Sequence, residues 1–234
     1  MRKTLGCLRK AVQDYNMINE NEHICVAVSG GKDSMILLKA LRTFMYFSPV
    51  KFKLTAISID VGFDNMDFEK LRVFCSDLDI PLKIVKTDIA KIVFDERKEK
   101  NPCSLCSKMK RAALNETALS IGSNKIAYGH HRDDFIESFL LSLFYEGRIH
   151  TFKPVTYLDR TGVYSIRPLL YAKEKDIIHA VKTENIPVIK SGCPADGFTK
   201  REEMKELMKY LKKQIPMVDE RMFTAIKNNL DDIH

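Results

Sequence analysis

No apolar stretch of this 234-residue chain approaches the length of a membrane span, which argues against a transmembrane helix and against a membrane partner. The opening Met1-Arg2-Lys3-Thr4-Leu5-Gly6 carries no secretory signal, so the expected compartment is the cytoplasm. Internal repeats and low-complexity tracts are lacking too. Six cysteines in such a compartment argue against a disulfide framework. The Walker A spacing, a glycine, four residues and then Gly-Lys-Ser/Thr, is nowhere satisfied. What remains is a globular chain long enough to bury a sizeable core. Its formal net charge of +7 fits a polyanionic partner without requiring one.

The feature that carries chemistry is Ser29-Gly30-Gly31-Lys32-Asp33-Ser34, directly after the apolar run Ile24-Cys25-Val26-Ala27-Val28. The run is short and uncharged and reads as a buried strand; Met35 to Arg42 reads as a helix with an apolar side. A strand, a tight Ser-Gly-Gly turn and a helix make an anion cradle. Glycine lets backbone approach a phosphate, and free N–H groups at the helix start point at it. Ser29 and Ser34 add hydroxyls, Lys32 a positive charge, and Asp33 a carboxylate suited to magnesium. The six residues resemble the PP-loop of the ATP pyrophosphatase superfamily. That resemblance implies a Rossmann-like fold and cleavage of ATP between its α and β phosphates.

Strands alternate with helices along the chain, which predicts an α/β fold, a parallel sheet covered by helices on both faces. An N-terminal helix is expected over residues 4–18, and strands over Lys53–Asp60, Ile80–Lys86 and Lys125–Gly129. Helices are expected over Asn65–Leu78, Ser104–Ile121, Asp133–Tyr145 and Lys173–Asn185, with Thr87–Pro102 irregular. Short extended pieces fill 151–170, and Ile186–Ile189 reads as extended. The tail from Thr199 reads as two helices broken near Pro216, the first opened by the capping box Thr199-Lys200-Arg201-Glu202. Its Lys200, Arg201, Lys205, Lys209, Lys212 and Lys213 admit two readings, a solvated face or an RNA-contacting one. The expected division is an N-terminal helix over 1–22, a catalytic α/β domain over 23–190, and a tail over 191–234 packed on that domain.

Two further constellations stand out. Cys103-Ser104-Leu105-Cys106 presents two thiols across one turn at a helix start, where the helix dipole and Lys108, Lys110 and Arg111 favour thiolates. Cys193, between Gly192 and Pro194, is a third thiol in a loop setting, whereas Cys25 and Cys75 read as buried hydrophobes. On spacing alone a redox pair, a zinc site and an iron–sulfur site stay open. Three cysteines leave one iron of a 4Fe–4S cluster without a protein ligand, the mark of a reactive centre. The second constellation is Gly129-His130-His131-Arg132-Asp133-Asp134, at the end of a predicted strand and so at the cradle's edge of the sheet. Asp133 or Asp134 could cap the next helix, hold magnesium or orient a base, and His130 could reach a phosphate.

Together these segments resemble the tRNA 2-thiocytidine synthetase family. The likeness runs over nearly the whole chain and includes Asp14-Tyr15-Asn16-Met17-Ile18, Ile166-Arg167-Pro168-Leu169, Lys173 to Ile177 and Phe223-Thr224-Ala225-Ile226. It implies thiolation of C2 of cytidine 32 in the tRNA anticodon loop, using ATP, Mg2+ and a 4Fe–4S cluster held by three cysteines. Cys103 and Cys106 match the first two ligands. The third falls to Cys193, although Lys190-Ser191-Gly192-Cys193-Pro194 departs from the family's Pro-Cys-Asn-Leu-Cys-Gly-like stretch. By likeness to tRNA-uridine thiolases, Lys110 and Asp134 take catalytic roles beside Asp33. Ser29 to Ser34 would hold the ATP phosphates, with the adenine against Ala27, Ser58 and Gly129 and with His130 nearby. The resemblance also implies a homodimer and a sulfur donor, a cysteine desulfurase or free sulfide. The alternatives are a PP-loop uridine thiolase and, in a different class, a non-catalytic metal-stabilised RNA-binding protein.

Overall fold

The structure, a computed structural model, describes residues 1–63, 67–98, 102–189, 192–193 and 200–230. Among the described residues six strands form one sheet: β1 Glu22–Ala27, β2 Phe52–Asp60, β3 Leu82–Lys86, β4 Lys125–Ala127, β5 Val155–Leu158 and β6 Val163–Ile166. Their order across the sheet is β3-β2-β1-β4-β6-β5. The chain builds outward from β1 through β2 to β3, then returns to the other side of β1 for β4. β1 and β4 therefore flank the point where strand order reverses, and ligands bind outside the carboxyl ends of the strands at such a point. Parallel pairing sets Val26 opposite Ala127 and Ala27 opposite Ile57. The loops that follow β1 and β4 thus leave the sheet side by side.

Period-two alternation explains how β1 serves both faces. Ile24 and Val26 join the core formed with α1 (Arg2–Asp14), α2 (Lys32–Met45) and α6 (Glu174–Thr183), while Cys25 joins Leu114 and Ala118 of α4 (Pro102–Ser120). α2 carries the heaviest apolar load. Met35, Ile36, Leu37, Leu38, Ala40, Leu41 and Phe44 are all buried. Each larger side chain contributes roughly 1.5–3 kcal/mol of burial, so the start of α2 is firmly anchored beneath the glycine turn. α5 (Arg132–Leu141) packs Phe135, Ile136 and Leu140 against Met204 and Met208 of α7 (Lys200–Gln214) and Phe223 and Ile226 of α8 (Val218–Asn228). α3 is Phe68–Asp77, opened by Asp67, whose side chain accepts from Lys70 N.

The departures from the sequence reading are local. The predicted irregular stretch 87–102 contains a π-helical turn, Lys91–Glu96, that seats Val93 with Ile89 and Cys106. The helix expected to run to Tyr145 is α-helical only to Leu141. Ser142–Glu146 then widens to a π-helical turn, ended by Gly147 at φ +63°, which leaves Phe144 and Tyr145 exposed. The sheet is not wholly parallel, because β5 and β6 form an antiparallel hairpin at its edge. Ile186–Ile189 joins no strand, but Ile189 N donates to Gly30 O at 2.9 Å. The predicted helix start at Asn65, the capping residue Thr199, and Asn101, Ser191 and Pro194 around the thiols lie outside the described residues.

Candidate active site

The glycine turn is held in shape by its own hydroxyls. Ser34 Oγ donates to Gly31 O at 2.9 Å and accepts from Ser29 N at 3.2 Å, with Ser29 Oγ 3.3 Å away. Gly30 sits at φ +84°, and a Cβ there would stand 2.9 Å from Ile189 Cβ. Gly31 precedes α2 at φ −69° and supplies no side-chain cap, so the first N–H groups of the helix keep their capacity for an anion. The β4 loop closes on this turn at Gly129, where a Cβ would meet the Asp33 carbonyl carbon and oxygen at 2.9 Å and Ser34 N at 3.0 Å.

Charge around the turn is finely divided. Lys32 Nζ lies 3.0 Å from Asp33 Oδ2 and 2.9 Å from Glu174 Oε1. Burial opposes the lysine's charge, but the two carboxylates outweigh it and raise its pKa. The other Asp33 oxygen, Oδ1, is buried without a hydrogen bond among the described residues, with His131 Nε2 3.6 Å away. His131 opens α5 through a reciprocal capping box. Its Nδ1 accepts from Asp134 N at 3.4 Å, and Asp134 Oδ2 accepts from His131 N at 2.9 Å. Asp134 Oδ1 accepts from Arg201 Nη1 at 3.2 Å. Burial pushes the Asp134 carboxyl up, but His131, His130 and Arg201 prevail and hold it low.

The paired aspartates separate in space. Asp133 turns away from the cradle, accepting from Glu174 N at 2.8 Å and from Lys212 Nζ at 3.0 Å. Local chemistry left either carboxylate open and the family resemblance singled out Asp134; the two separate because successive residues at a helix start diverge by about 100°. Deeper in α5, Glu137 is buried with Oε2 unpaired, and burial together with Asp134 pushes its pKa up to about 7.

One face of α4 joins the thiols to this site. Cys103, Cys106, Lys110 and Leu114 recur at three- and four-residue intervals, the spacing of one helical stripe. A cavity of about 400 Å³ at the carboxyl ends of β1, β2 and β4 brings together Ala27, Ser29, Asp33, Ser34, Lys110, Gly129, His130 and Asp134. Its walls add Ile57, Ile59, Arg111, Leu114 and Tyr128. A neighbouring cavity of about 500 Å³ gathers Gly31, Lys32, Cys106 and Cys193, and shares Ser29, Asp33 and Lys110 with the first. Lys110 stands between the two. Gly30 and Ser58 line neither cavity; Ser58 is fully buried with its hydroxyl unpaired. Cys103 is exposed and Cys106 buried.

The thiols bear on one another. Burial raises the Cys106 pKa, Lys110 lowers it, and Cys193 and Cys103 each raise it further. Among the described residues no group of three His, Cys, Asp or Glu side chains is gathered closely enough to hold a metal ion. As a donor set, three cysteines and a nearby lysine have the softness for a thiolate-bound metal or cluster, since binding would remove the proton that burial retains on Cys106. Asp33 Oδ1, a buried carboxylate oxygen without a partner, fits a hard cation such as magnesium.

Three participants escaped the sequence reading. Glu174, Arg201 and Glu137 meet the cradle only through long-range packing, so local spacing carries no signal for them. Arg111 was legible, being adjacent to Lys110 on the same helix. In the basic tail Lys200, Lys205 and Lys209 pair with Glu203, Glu202 and Glu206 along the helix, as the solvated-face reading expects, whereas Arg201 and Lys212 turn inward to Asp134 and Asp133.

A family model described as a PP-loop domain matches residues 5–209. The chain is 37% identical over 230 residues to the tRNA-cytidine(32) 2-sulfurtransferase of Pelobacter propionicus, covering 97% of this chain and 86% of the relative. It is 36% identical to the enzyme of the same name from Citrifermentans bemidjiense, covering 94% and 87%. Among solved structures, the U34-tRNA thiolase NcsA from Methanococcus maripaludis, with its [4Fe-4S] cluster, superposes with a TM-score of 0.81 at 23% identity, covering 100% of this chain and 79% of that one. The NH3-dependent NAD synthetase of Campylobacter jejuni superposes with a TM-score of 0.52 at 16% identity, covering 99% and 91%; both show a shared fold. With a PP-loop at the strand-order reversal and relatives of this identity along nearly its whole length, the chain belongs to the tRNA-cytidine(32) 2-sulfurtransferase family of PP-loop proteins.

Proposed function

We propose that this chain thiolates tRNA at the expense of ATP, converting the target cytidine of the anticodon loop to 2-thiocytidine. The observation that carries the reading is the shared wall between the two cavities. The glycine turn opens into both, and Lys110 stands between the nucleotide side and the thiol side. Ser29 to Ser34 and the start of α2 hold the ATP phosphates, and Asp33 offers its unpaired Oδ1 to Mg2+. The cytosine O2 attacks the α-phosphate and pyrophosphate departs, leaving the base activated as an adenylate. Hydrosulfide then adds at C2, the former O2 leaves with AMP, and loss of the S–H proton leaves the C2 thione.

Lys32 and Lys110 offset the charge that builds on the phosphates, the kind of preorganised stabilisation that usually contributes most to catalysis. Lys32 reaches them by exchanging its carboxylate partners for phosphate. Asp134, held by His131 and Arg201, fixes the start of α5 against the turn. Cys103, Cys106 and Cys193 are the residues that would hold a 4Fe–4S cluster, whose open iron supplies a binding place for sulfur. Free sulfide supplies that sulfur directly, a cysteine desulfurase supplies it as persulfide sulfur that two electrons from a thiol reductant bring to the sulfide level, and a homodimer is the expected assembly. An unpaired anticodon-loop base can be splayed into such a site at low cost.

The test is ATP turnover by anaerobically reconstituted protein. AMP and pyrophosphate should appear in proportion to added tRNA, and Cys106→Ala should abolish thiolation. Turnover to ADP, or turnover indifferent to tRNA, contradicts the reading.

A further inference from the structure

The chain that follows α5 exposes side chains of the kind that α5 itself buries. Residues 143–150 form an unbroken exposed run that includes Leu143, Phe144, Tyr145 and Ile149. Phe144 is 57% and Ile149 59% exposed. The π-helical turn Ser142–Glu146 is the cause. It leaves the α-helical period that buries Phe135, Ile136 and Leu140, so the next apolar side chains are carried off the core face.

The run leads back to the nucleotide cavity. Arg148 N donates to Ser142 O at 3.0 Å as the chain leaves the turn. Thr151 Oγ1 donates to Phe135 O at 3.0 Å, in the first turn of α5, and the Phe152 ring stands 5.1 Å from His130 in the cavity wall. From Phe135 to Glu146 the helix rises by about 15 Å, while the chain from Gly147 to Thr151 extends at most about 14 Å. Residues 147–150 therefore return nearly extended beside α5, from the exposed rings to the cavity.

Charge selects the occupant. Glu146 accepts from Ser142 Oγ at 3.1 Å, and Glu203 accepts from Tyr145 Oη and from Lys200 Nζ. Both neighbouring carboxylates are thus engaged. Arg148 and His150 are exposed, with no ion pair or side-chain hydrogen bond among the described residues. Lys200 Nζ lies 4.9 Å from the Tyr145 ring centroid and covers one of its faces. Phe144 has no ring or cation against it among the described residues, so its ring is the one left for a stacking partner. In a two-fold dimer built on this patch the run would face itself, with no unengaged carboxylate to answer Arg148. A single-stranded nucleic acid answers both features, its bases stacking on the ring and its phosphates taking the cation.

We propose that residues 143–150 form a ledge for the single-stranded anticodon loop, with Phe144 stacking on a base that flanks the target and Arg148 and His150 holding the phosphates beside it. This rests on the tRNA-thiolase reading above. The ledge binds and orders the loop while the target base enters the cavity, and it touches no reacting atom.

The test compares wild type with Phe144→Ala, Phe144→Leu and Arg148→Gln by fluorescence anisotropy, using the unmodified tRNA transcript and a fully paired RNA duplex as probes. For Phe144→Ala the tRNA dissociation constant should rise roughly 5- to 150-fold, the loss of one stacked base, while duplex binding stays unchanged. Phe144→Leu keeps apolar bulk without the ring and should lose nearly as much. Arg148→Gln should weaken tRNA binding and lower the slope of log affinity against log salt by about 0.7 for each single-strand phosphate released. ATP affinity and the midpoint of thermal unfolding should stay near wild type in all three variants. Wild-type tRNA affinity in Phe144→Ala overturns the proposal. So does conversion of a dimer to a monomer by that substitution in sedimentation velocity, which gives the patch to a second copy. If the wild type itself binds no tRNA, the thiolase reading falls and the proposal with it, a result recognised without any variant.

Discussion

Gly129→Ala is the perturbation that most sharply separates what the structure says from what the glycine signature suggests. The added methyl would stand 2.9 Å from the Asp33 carbonyl carbon and oxygen and 3.0 Å from Ser34 N. All three are backbone atoms in the first turn of α2, below which seven buried apolar side chains hold the helix in place. Nothing flexible can yield, so the β4 loop or the start of α2 has to move. Overpacking of this kind costs about 1–3 kcal/mol. If the displacement falls on the cradle, the same energy corresponds to a loss of ATP affinity of roughly 5- to 150-fold. The control is Gly31→Ala. Gly31 has φ −69°, and its Cβ would meet only Ser29 Oγ, at 3.6 Å. Its unliganded stability should stay within about 1 kcal/mol of wild type, the loss being that of glycine at an N-cap. Urea unfolding followed by circular dichroism gives the stabilities, and titration calorimetry gives the ATP affinities. Wild-type stability and affinity in Gly129→Ala would refute the reasoning, as would equal destabilisation by the two substitutions.

Glu174→Gln should strengthen ATP binding about two- to fivefold, because it removes a carboxylate that competes with phosphate for Lys32; weaker binding measured by calorimetry counts against that competition. Glu137 has its pKa raised to about 7, so between its unfolded value near 4.5 and pH 7 the native state binds more protons than the unfolded chain. Stability should therefore fall as pH rises through that window, by at most about 1.4 kcal/mol per pH unit from this group, and level off above 7. Urea unfolding of Glu137→Gln across pH 5.5–8 should lack that contribution. Lys125 is buried and donates to both carboxylate oxygens of Glu22 and to Met17 O. Lys125→Met should destabilise by about 2 kcal/mol through the stranded acceptors, and a neutral result in the same assay removes the pair's structural role.

The fold was legible where local chemistry decides it. β1 and α2 are announced by an uncharged apolar run, a glycine turn and a dense apolar helix, and both appear within two or three residues of their predicted limits. The site was legible to the same extent, because the PP-loop and the 129–134 loop follow neighbouring strands and must emerge together. What escaped is decided by distant partners. The widening of the helix after Leu141 leaves Phe144 exposed, which a hydrophobic run cannot signal. Asp133 and Asp134 look alike in sequence, and only the meeting of α5 with α6 and α7 gives one to Glu174 N and the other to Arg201. Lys32 is a phosphate ligand by motif, yet in the folded chain it is paired with Glu174 from 142 positions away, a contact that belongs to the tertiary structure alone.

The central claim is that the glycine turn spends ATP on behalf of the thiols across the shared cavity wall. The most direct measurement is mass analysis of nucleosides from tRNA of cells lacking this protein, before and after complementation with wild type, Cys106→Ala or Lys110→Ala. The account predicts that 2-thiocytidine vanishes without the protein, returns with wild type, and stays absent with either variant although both fold. A nucleoside profile unchanged by the loss of the protein, or restored by Cys106→Ala, would contradict it.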